Sequence, residues 1–198
     1  METGGKPVRE SVEFARIVAF TDGVFAIAIT LLVLSINVPP NLSGSAMHHE
    51  LIDAWRQVFA YFLSFAVIGR LWIGHHRFFS HVHDFDRRLL VLNLAYLSLV
   101  VLVPFPTEVL GDYGHRTDAV VLYAVVVGST ALFAWFMLRY ALRAGHFRPE
   151  GQAAAVLAAG GPLVPALIFY ASIPVALASP VAAQLMWIAT IVDVFRRS

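Results

Sequence analysis

The chain has 198 residues, of which 59% are hydrophobic and 14% charged, and its mean hydropathy is +0.72. That balance exceeds what a soluble globular domain of this size carries and points to a protein that lives in lipid. The absence of cysteine excludes a disulfide framework, a thiolate metal site and a cysteine nucleophile, and a net charge of +1 gives no reason to expect a nucleic-acid partner.

Residues 1–13, METGGKPVRESVE, read as a polar amino-terminal arm carrying Lys6 and Arg9. They hold no short apolar core ending in a small-residue cleavage site, so no removable signal peptide is expected. The first membrane helix is predicted over residues 14–36, above the ~20 residues a bilayer requires. It is uncharged from residue 23 to residue 36, carries Arg16 and Asp22 just upstream, and stops at Pro39-Pro40. A second apolar run covers residues 51–74, interrupted by Arg56 and Arg70, and is followed by HHRFFSHVHDFDRR, expected to be a polar loop. The third run covers residues 89–105 and ends at Pro-Phe-Pro. A fourth covers 118–142, a fifth 153–170, broken by Pro162 and Pro165, and a sixth 180–195 before Arg196-Arg197. No internal repeat is visible, so residues 1–198 form one all-α integral membrane domain of six transmembrane helices.

Basic residues orient these spans. Twelve of the fourteen, Lys6, Arg9, Arg16, Arg70, Arg77, Arg87, Arg88, Arg139, Arg143, Arg148, Arg196 and Arg197, lie at one set of ends, against Arg56 and Arg116 at the other. Because Lys and Arg resist translocation, the larger set is expected in the cytoplasm, with both termini there and the protein in the plasma membrane.

The first helix has two characters. On a helical wheel Gly23, Ile27, Thr30, Leu31 and Leu34 share a stripe about 100° wide, while Asp22 falls on the far side. By itself such a stripe fits a helix packed in lipid. An unpaired carboxylate near the membrane edge is costly, however, so Asp22 requires polar partners from inside the bundle.

The run R-x-x-x-F-T-D at Arg16, Phe20, Thr21 and Asp22, leading into GVFAIAITLLVL, resembles the signature first helix of the transmembrane protein 175 family of potassium channels. Those proteins carry R-x-x-x-F-S-D, so Thr21 departs mildly and keeps the hydroxyl. The likeness extends through Trp72, His75 and His76, then Asn93 and Pro104-Phe105, and weakens after about residue 110. It implies a homotetramer with the first helix of each subunit lining the pore. Ile27, Leu31 and Leu34 then match the constricting apolar positions, a hydrophobic neck that gates by excluding water. Thr30 is the one side-chain oxygen near that neck. Arg16, Trp72, His76 and Asn93 match the polar network around the motif, with Asp22 as the anchor that fixes the pore helix to the next two. The resemblance implies potassium as the permeant ion and no cofactor. With no T-V-G-Y-G carbonyl filter in the sequence, selectivity would arise at the neck and at Thr30.

Two other classes compete. His75, His76, His81 and His83 give H-H-x-x-x-x-H-x-H, a pattern used by membrane metalloenzymes, but such enzymes spread several histidine boxes over different loops. Here His48-His49 falls on the opposite side by topology, and only His115, His146, Asp84 and Asp86 remain to help, so no metal site is expected. A small-molecule transporter would show paired broken helices, and only the fifth is broken. The serines lack a nucleophile motif, AAAVLAAGG reads as close helix packing, and Trp55, Trp135, Trp187 and Tyr140 read as interface anchors or core.

Overall fold

In a bilayer the backbone must satisfy its own hydrogen bonds, which apolar runs of this length do as helices. The protein is represented by a computed structural model that describes residues 8–37, 44, 54–147 and 161–196. Helix α1 (Val8–Leu31) continues into a tighter 3-10 turn (Leu32–Ser35). It is followed by α2 (Trp55–His81), α3 (Arg87–Leu102), α4 (Pro104–Tyr113), α5 (Thr117–Arg143), α6 (Leu163–Ala178) and α7 (Pro180–Arg196). With α3 and α4 joined end to end, these make six spans. Val12–Ser35, Trp55–His81, Arg87–Tyr113 and Thr117–Arg143 are each long and apolar enough to cross a membrane, and α6 is a shorter apolar helix.

The sequence reading placed the fourth and sixth spans within a residue or so and misplaced ends elsewhere. α1 starts at Val8, so the second half of the polar arm is its first turns. The region from His75 to His81 is helical and not a loop. It continues α2 because His75, Phe78 and Phe79 turn inward, at helical spacing, while Arg77 and Ser80 turn out. The third span does not end at Pro104-Phe105-Pro106. Both prolines fall in the first turn of α4, where an amide N–H has no intrahelical partner in any case. The carbonyl of Val103 is met by the backbone N–H and the hydroxyl of Thr107, at 3.2 and 2.9 Å. In the fifth span Pro162 is the N-cap and Pro165 lies in the first turn, so neither breaks it, and the helix runs past Tyr170 to Ala178 with Pro174 inside. Lys6, His48, His49, Arg148, Arg197 and the expected start at Ala153 lie outside the described residues.

α5 is the hub, packed closely on α6, α3 and α4. A Cβ added at Gly128 would meet Phe169 and Tyr170 at 3.3 Å, so the absence of a side chain lets α5 and α6 approach. The main core joins Phe25, Leu32, Ile68, Tyr96, Val100, Tyr123, Phe169 and Trp187. Tyr123 and Phe169 stack on Trp187 at 4.9 and 5.4 Å, which makes Trp187 core and not an interface anchor. Hydroxyls satisfy the polar atoms this burial would strand: the Thr107 and Ser64 hydroxyls pair at 2.8 Å, Ser64 pairs in turn with the Tyr123 hydroxyl at 2.9 Å, and the Trp187 indole donates to Ser172 at 2.8 Å.

The two ends of the bundle are tied differently. At one, the Asn37 amide donates to Gln57 at 2.9 Å, Gln57 donates to Asp112 at 2.8 Å, and Gln184 donates to the Gly114 carbonyl at 2.6 Å. At the other, Val82 and Phe147 form a single antiparallel bridge between the segments after α2 and α5. A second, smaller core of Phe78, Phe79, Leu89, Met137 and Leu138 lies beneath it, with Phe14 packed against it.

Candidate functional site: the two faces of the first helix

The 3.6-residue period divides α1 into a side that meets the subunit and a side that does not. Thr21, Phe25, Ala28, Leu32 and Ser35, spaced four, three, four and three apart, are all buried. On the opposite side Gly23, Ile27, Thr30, Leu31 and Leu34 are exposed, Ile27 at 58% and Leu34 at 71%. Among the described residues the expected stripe is therefore exposed, but its upper end differs from an ideal α-helix. Because Leu32–Ser35 is a 3-10 turn, residues three apart eclipse, and Leu34 stands almost directly above Leu31. The Thr30 hydroxyl donates to the carbonyl of Ile27 at 2.8 Å, within its own helix. With its proton tied back, the oxygen keeps its lone pairs for the exposed side, the arrangement a cation ligand needs.

The buried face is fixed by a small set of polar bonds. Trp72 on α2 donates its indole N–H to the Asp22 carboxylate at 2.9 Å, and the His76 ring lies against the Trp72 ring at 5.5 Å. Asn93 on α3 donates to the Thr21 hydroxyl at 3.1 Å, and its side-chain oxygen pairs with His75 Nε2 at 2.8 Å. An amide oxygen only accepts, so His75 carries its proton on Nε2. The His75 ring stacks on Tyr96 at 5.2 Å and packs on Phe25 at 5.6 Å.

Three helices are thus joined through Thr21, Asp22, Trp72, His75 and Asn93. His76, which the sequence placed in this network, is exposed and reaches it through Trp72, while its neighbour His75 is the buried ring at the centre. Arg16 and Phe20 lie on the exposed side of α1, outside this hydrogen-bonded set. Among the described residues no three His, Asp or Glu side chains converge to hold a metal.

Sequence reasoning missed a second polar cluster, where α2 gives way to α3. Asp86 caps α3 by accepting from the Leu89 amide at 2.8 Å, accepts also from the Tyr140 hydroxyl, and lies 3.7 Å from His146 Nε2. The bond from Tyr140 holds the Asp86 carboxyl below its ordinary range, and the Leu89 amide and His146 act in the same direction. The signal in the sequence was Asp86 directly before Arg87-Arg88-Leu89-Leu90, an N-cap residue opening an apolar helix.

Comparison with known proteins places this geometry. The pattern of the family described as "Endosomal/lysosomal potassium channel TMEM175" matches residues 16–104, from Arg16 to the proline at the start of α4. A potassium channel of Streptomyces collinus is 42% identical over 152 residues, 74% of this chain and 73% of its own length. The chain belongs to the TMEM175 family. An endosomal/lysosomal proton channel TMEM175 of Gallus gallus is 30% identical over 154 residues, and the match spans 31% of that protein's length. Among solved structures, the potassium-selective TMEM175 homologue of Chamaesiphon minutus superposes with a TM-score of 0.83 at 29% identity, covering 94% of this chain and 98% of that one. Membership makes the protein an ion channel and not an enzyme.

Proposed function

We propose that the chain is one subunit of a homotetrameric, potassium-permeable cation channel whose pore is lined by α1. The observation that carries this reading is the division of α1. One side is buried and polar-anchored to α2 and α3, whereas Ile27, Thr30, Leu31 and Leu34 on the other side are exposed. A helix held so firmly on one side presents the other in a fixed orientation. Four copies around an axis would bring rings of Ile27, Leu31 and Leu34 together as a hydrophobic neck, wet only when wide enough. Thr30, between the first ring and the last, offers an oxygen to an ion that has shed part of its water, which favours the ion whose shell is cheaper to disturb. The basic end faces the cytoplasm in this reading, with both termini there and the protein in the plasma membrane, surrounded by lipid. Potassium, as in the names of the Streptomyces and Chamaesiphon proteins, is the permeant ion.

The test is purified protein in potassium-loaded liposomes, with ion flux, single-channel current and bound metal measured together. Unitary currents carried by potassium are expected. Flux that saturates at transporter rates without unitary currents, or activity that tracks bound metal, would overturn the reading.

A further inference from the structure

One face of α5 carries a cluster that the pore does not use. Val125, Leu132, Phe136, Arg139 and Arg143 follow at intervals of seven, four, three and four residues, which places them on a single side of the helix. Val125 and Phe136 are exposed at 40% and 47%, and α5 turns its other sides to α3, α4 and α6. The face is thus apolar along the span and ends in two cations at the basic end of the bundle. Arg139 is steadied there, because its guanidinium lies over the Trp135 ring, 5.8 Å from the ring centre. From the start of α3, Arg88 reaches the hydroxyl of Tyr140, the residue after Arg139. Asp86, the carboxylate beside this group, is engaged by the Leu89 amide and the Tyr140 hydroxyl. Among the described residues neither Arg139 nor Arg143 forms an ion pair.

We propose that this face binds an anionic phospholipid, with the headgroup phosphate held by Arg139, Arg143 and Arg88 and an acyl chain laid along Phe136, Leu132 and Val125. The chemistry of the donors selects the headgroup. A guanidinium stacked on an aromatic ring keeps its in-plane N–H groups free, and these match the oxygens of a phosphate ester two at a time. Residues four apart on a helix hold their Cβ atoms about 6 Å from each other, a gap that one phosphate bridges. The apolar residues beneath separate a lipid from a soluble anion: free phosphate gains nothing from Phe136, Leu132 and Val125, whereas an acyl chain covers all three. A zwitterionic lipid offers the same phosphate with its charge cancelled by an amine, so the arginines favour the anionic headgroup, by about fivefold for each cation fully engaged. A second copy of the chain is the other cover open to an apolar face. The pore reading sets α1 at the axis, and α1 packs mainly on α2 and α3, so α5 stands behind them and away from the neighbours around that axis. The lipid site rests on the channel reading in this last step alone.

The test uses the full chain reconstituted in phosphatidylcholine with a minor fraction of a lipid brominated on its acyl chains, since bromine quenches tryptophan on contact. Trp135 is the reporter, and each protein is read against its Trp135→Phe counterpart. At equal brominated fraction, quenching of Trp135 by phosphatidylglycerol is expected to exceed that by phosphatidylcholine about fivefold in wild type and to match it in Arg139→Gln/Arg143→Gln. Arg77→Gln, which removes an exposed arginine of α2 at the same end, is expected to keep the preference. Equal quenching by the two lipids in wild type overturns the site, and so does a preference that survives the double substitution. A loss in Arg77→Gln as large as in the double variant would show attraction by the whole basic end and overturn it as well. If inorganic phosphate at constant ionic strength removes the preference, the arginines hold a soluble anion and the lipid assignment falls. Absence of quenching by either lipid would mean that protein covers the face, a contact between copies in place of a lipid. None of these readings needs ion flux, so a silent channel leaves the lipid site standing and a failed lipid site leaves the channel reading untouched.

Discussion

Inside a bilayer a hydroxyl and an amide cannot turn to water, so the bond from Asn93 to Thr21 holds α1 to α3 more firmly than its single 3.1 Å contact would at a wet surface. Asn93 serves two partners, and its loss strands both. Asn93→Leu is expected to leave His75 Nε2 and the Thr21 hydroxyl unpaired and to cost about 2 kcal/mol. Thr21→Val removes one end of one bond and is expected to cost less, about 1 kcal/mol. Thermal unfolding of the purified assembly, followed by tryptophan fluorescence, checks the order, and equal midpoints for wild type and Asn93→Leu would refute it. Thr30 raises a separate question at the same scale. Its hydroxyl proton is held by the Ile27 carbonyl, so only its lone pairs are available, and Thr30→Val removes them while keeping the shape. A shift in reversal potential under a potassium/sodium gradient, with the assembly intact, is the expected outcome. The motif residues Thr21 and Asp22 were legible in the sequence. Which of His75 and His76 turns inward was not, because adjacent residues differ by about 100° on a helix and the phase of α2 depends on tertiary packing.

At the scale of elements, apolar runs and proline positions carried most of the information, and errors arose where polar residues sit within a helix. A reading that weighs charge alone ends α2 before His75, yet the inward spacing of His75, Phe78 and Phe79 continues the helix to His81. Pro104 and Pro106 look like a stop until one notes that a first-turn proline lacks only a proton the helix would not use. The 3-10 turn after Leu31 was not legible at all, because LLVLS has no glycine or proline to announce it. That turn matters to the neck, since it stacks Leu34 over Leu31 where an α-helix would offset them by about 60°. Ile27 and Leu31 lie on the α-helical part, and an asparagine at either would let water wet the ring. Ile27→Asn or Leu31→Asn is expected to raise potassium flux several-fold and to blunt the preference for potassium over sodium. Wild-type flux and selectivity in both variants would remove these residues from the neck.

For the molecule as a whole, the hydrogen bonds that sort the helix ends give the charge pattern a physical meaning. The bonds among Asn37, Gln57 and Asp112, with that from Gln184 to Gly114, gather the end of α1 and the starts of α2 and α7 at one face, where Arg56 and Arg116 lie. The Val82–Phe147 bridge gathers the ends of α2 and α5 at the other, beside Arg77, Arg87, Arg88 and Arg143. The separation into two faces follows from packing alone, and in the proposed topology the face richer in arginine meets the cytoplasm because translocating arginine is costly. Because the chain has no cysteine, single cysteines report sidedness without background. Arg116 lies in the short connection between α4 and α5 and pairs with Asp118 at 2.9 Å, an exposed contact whose loss disturbs little. Arg143 ends α5 at the opposite face and is likewise exposed. In intact cells a membrane-impermeant maleimide is expected to label Arg116→Cys readily and Arg143→Cys only after permeabilisation. The reverse pattern would invert the topology and place the Asp86–His146 cluster outside the cell. Labelling of both in intact cells would mean that the arginine count does not govern insertion here, and the six-span arrangement would then need to allow both orientations.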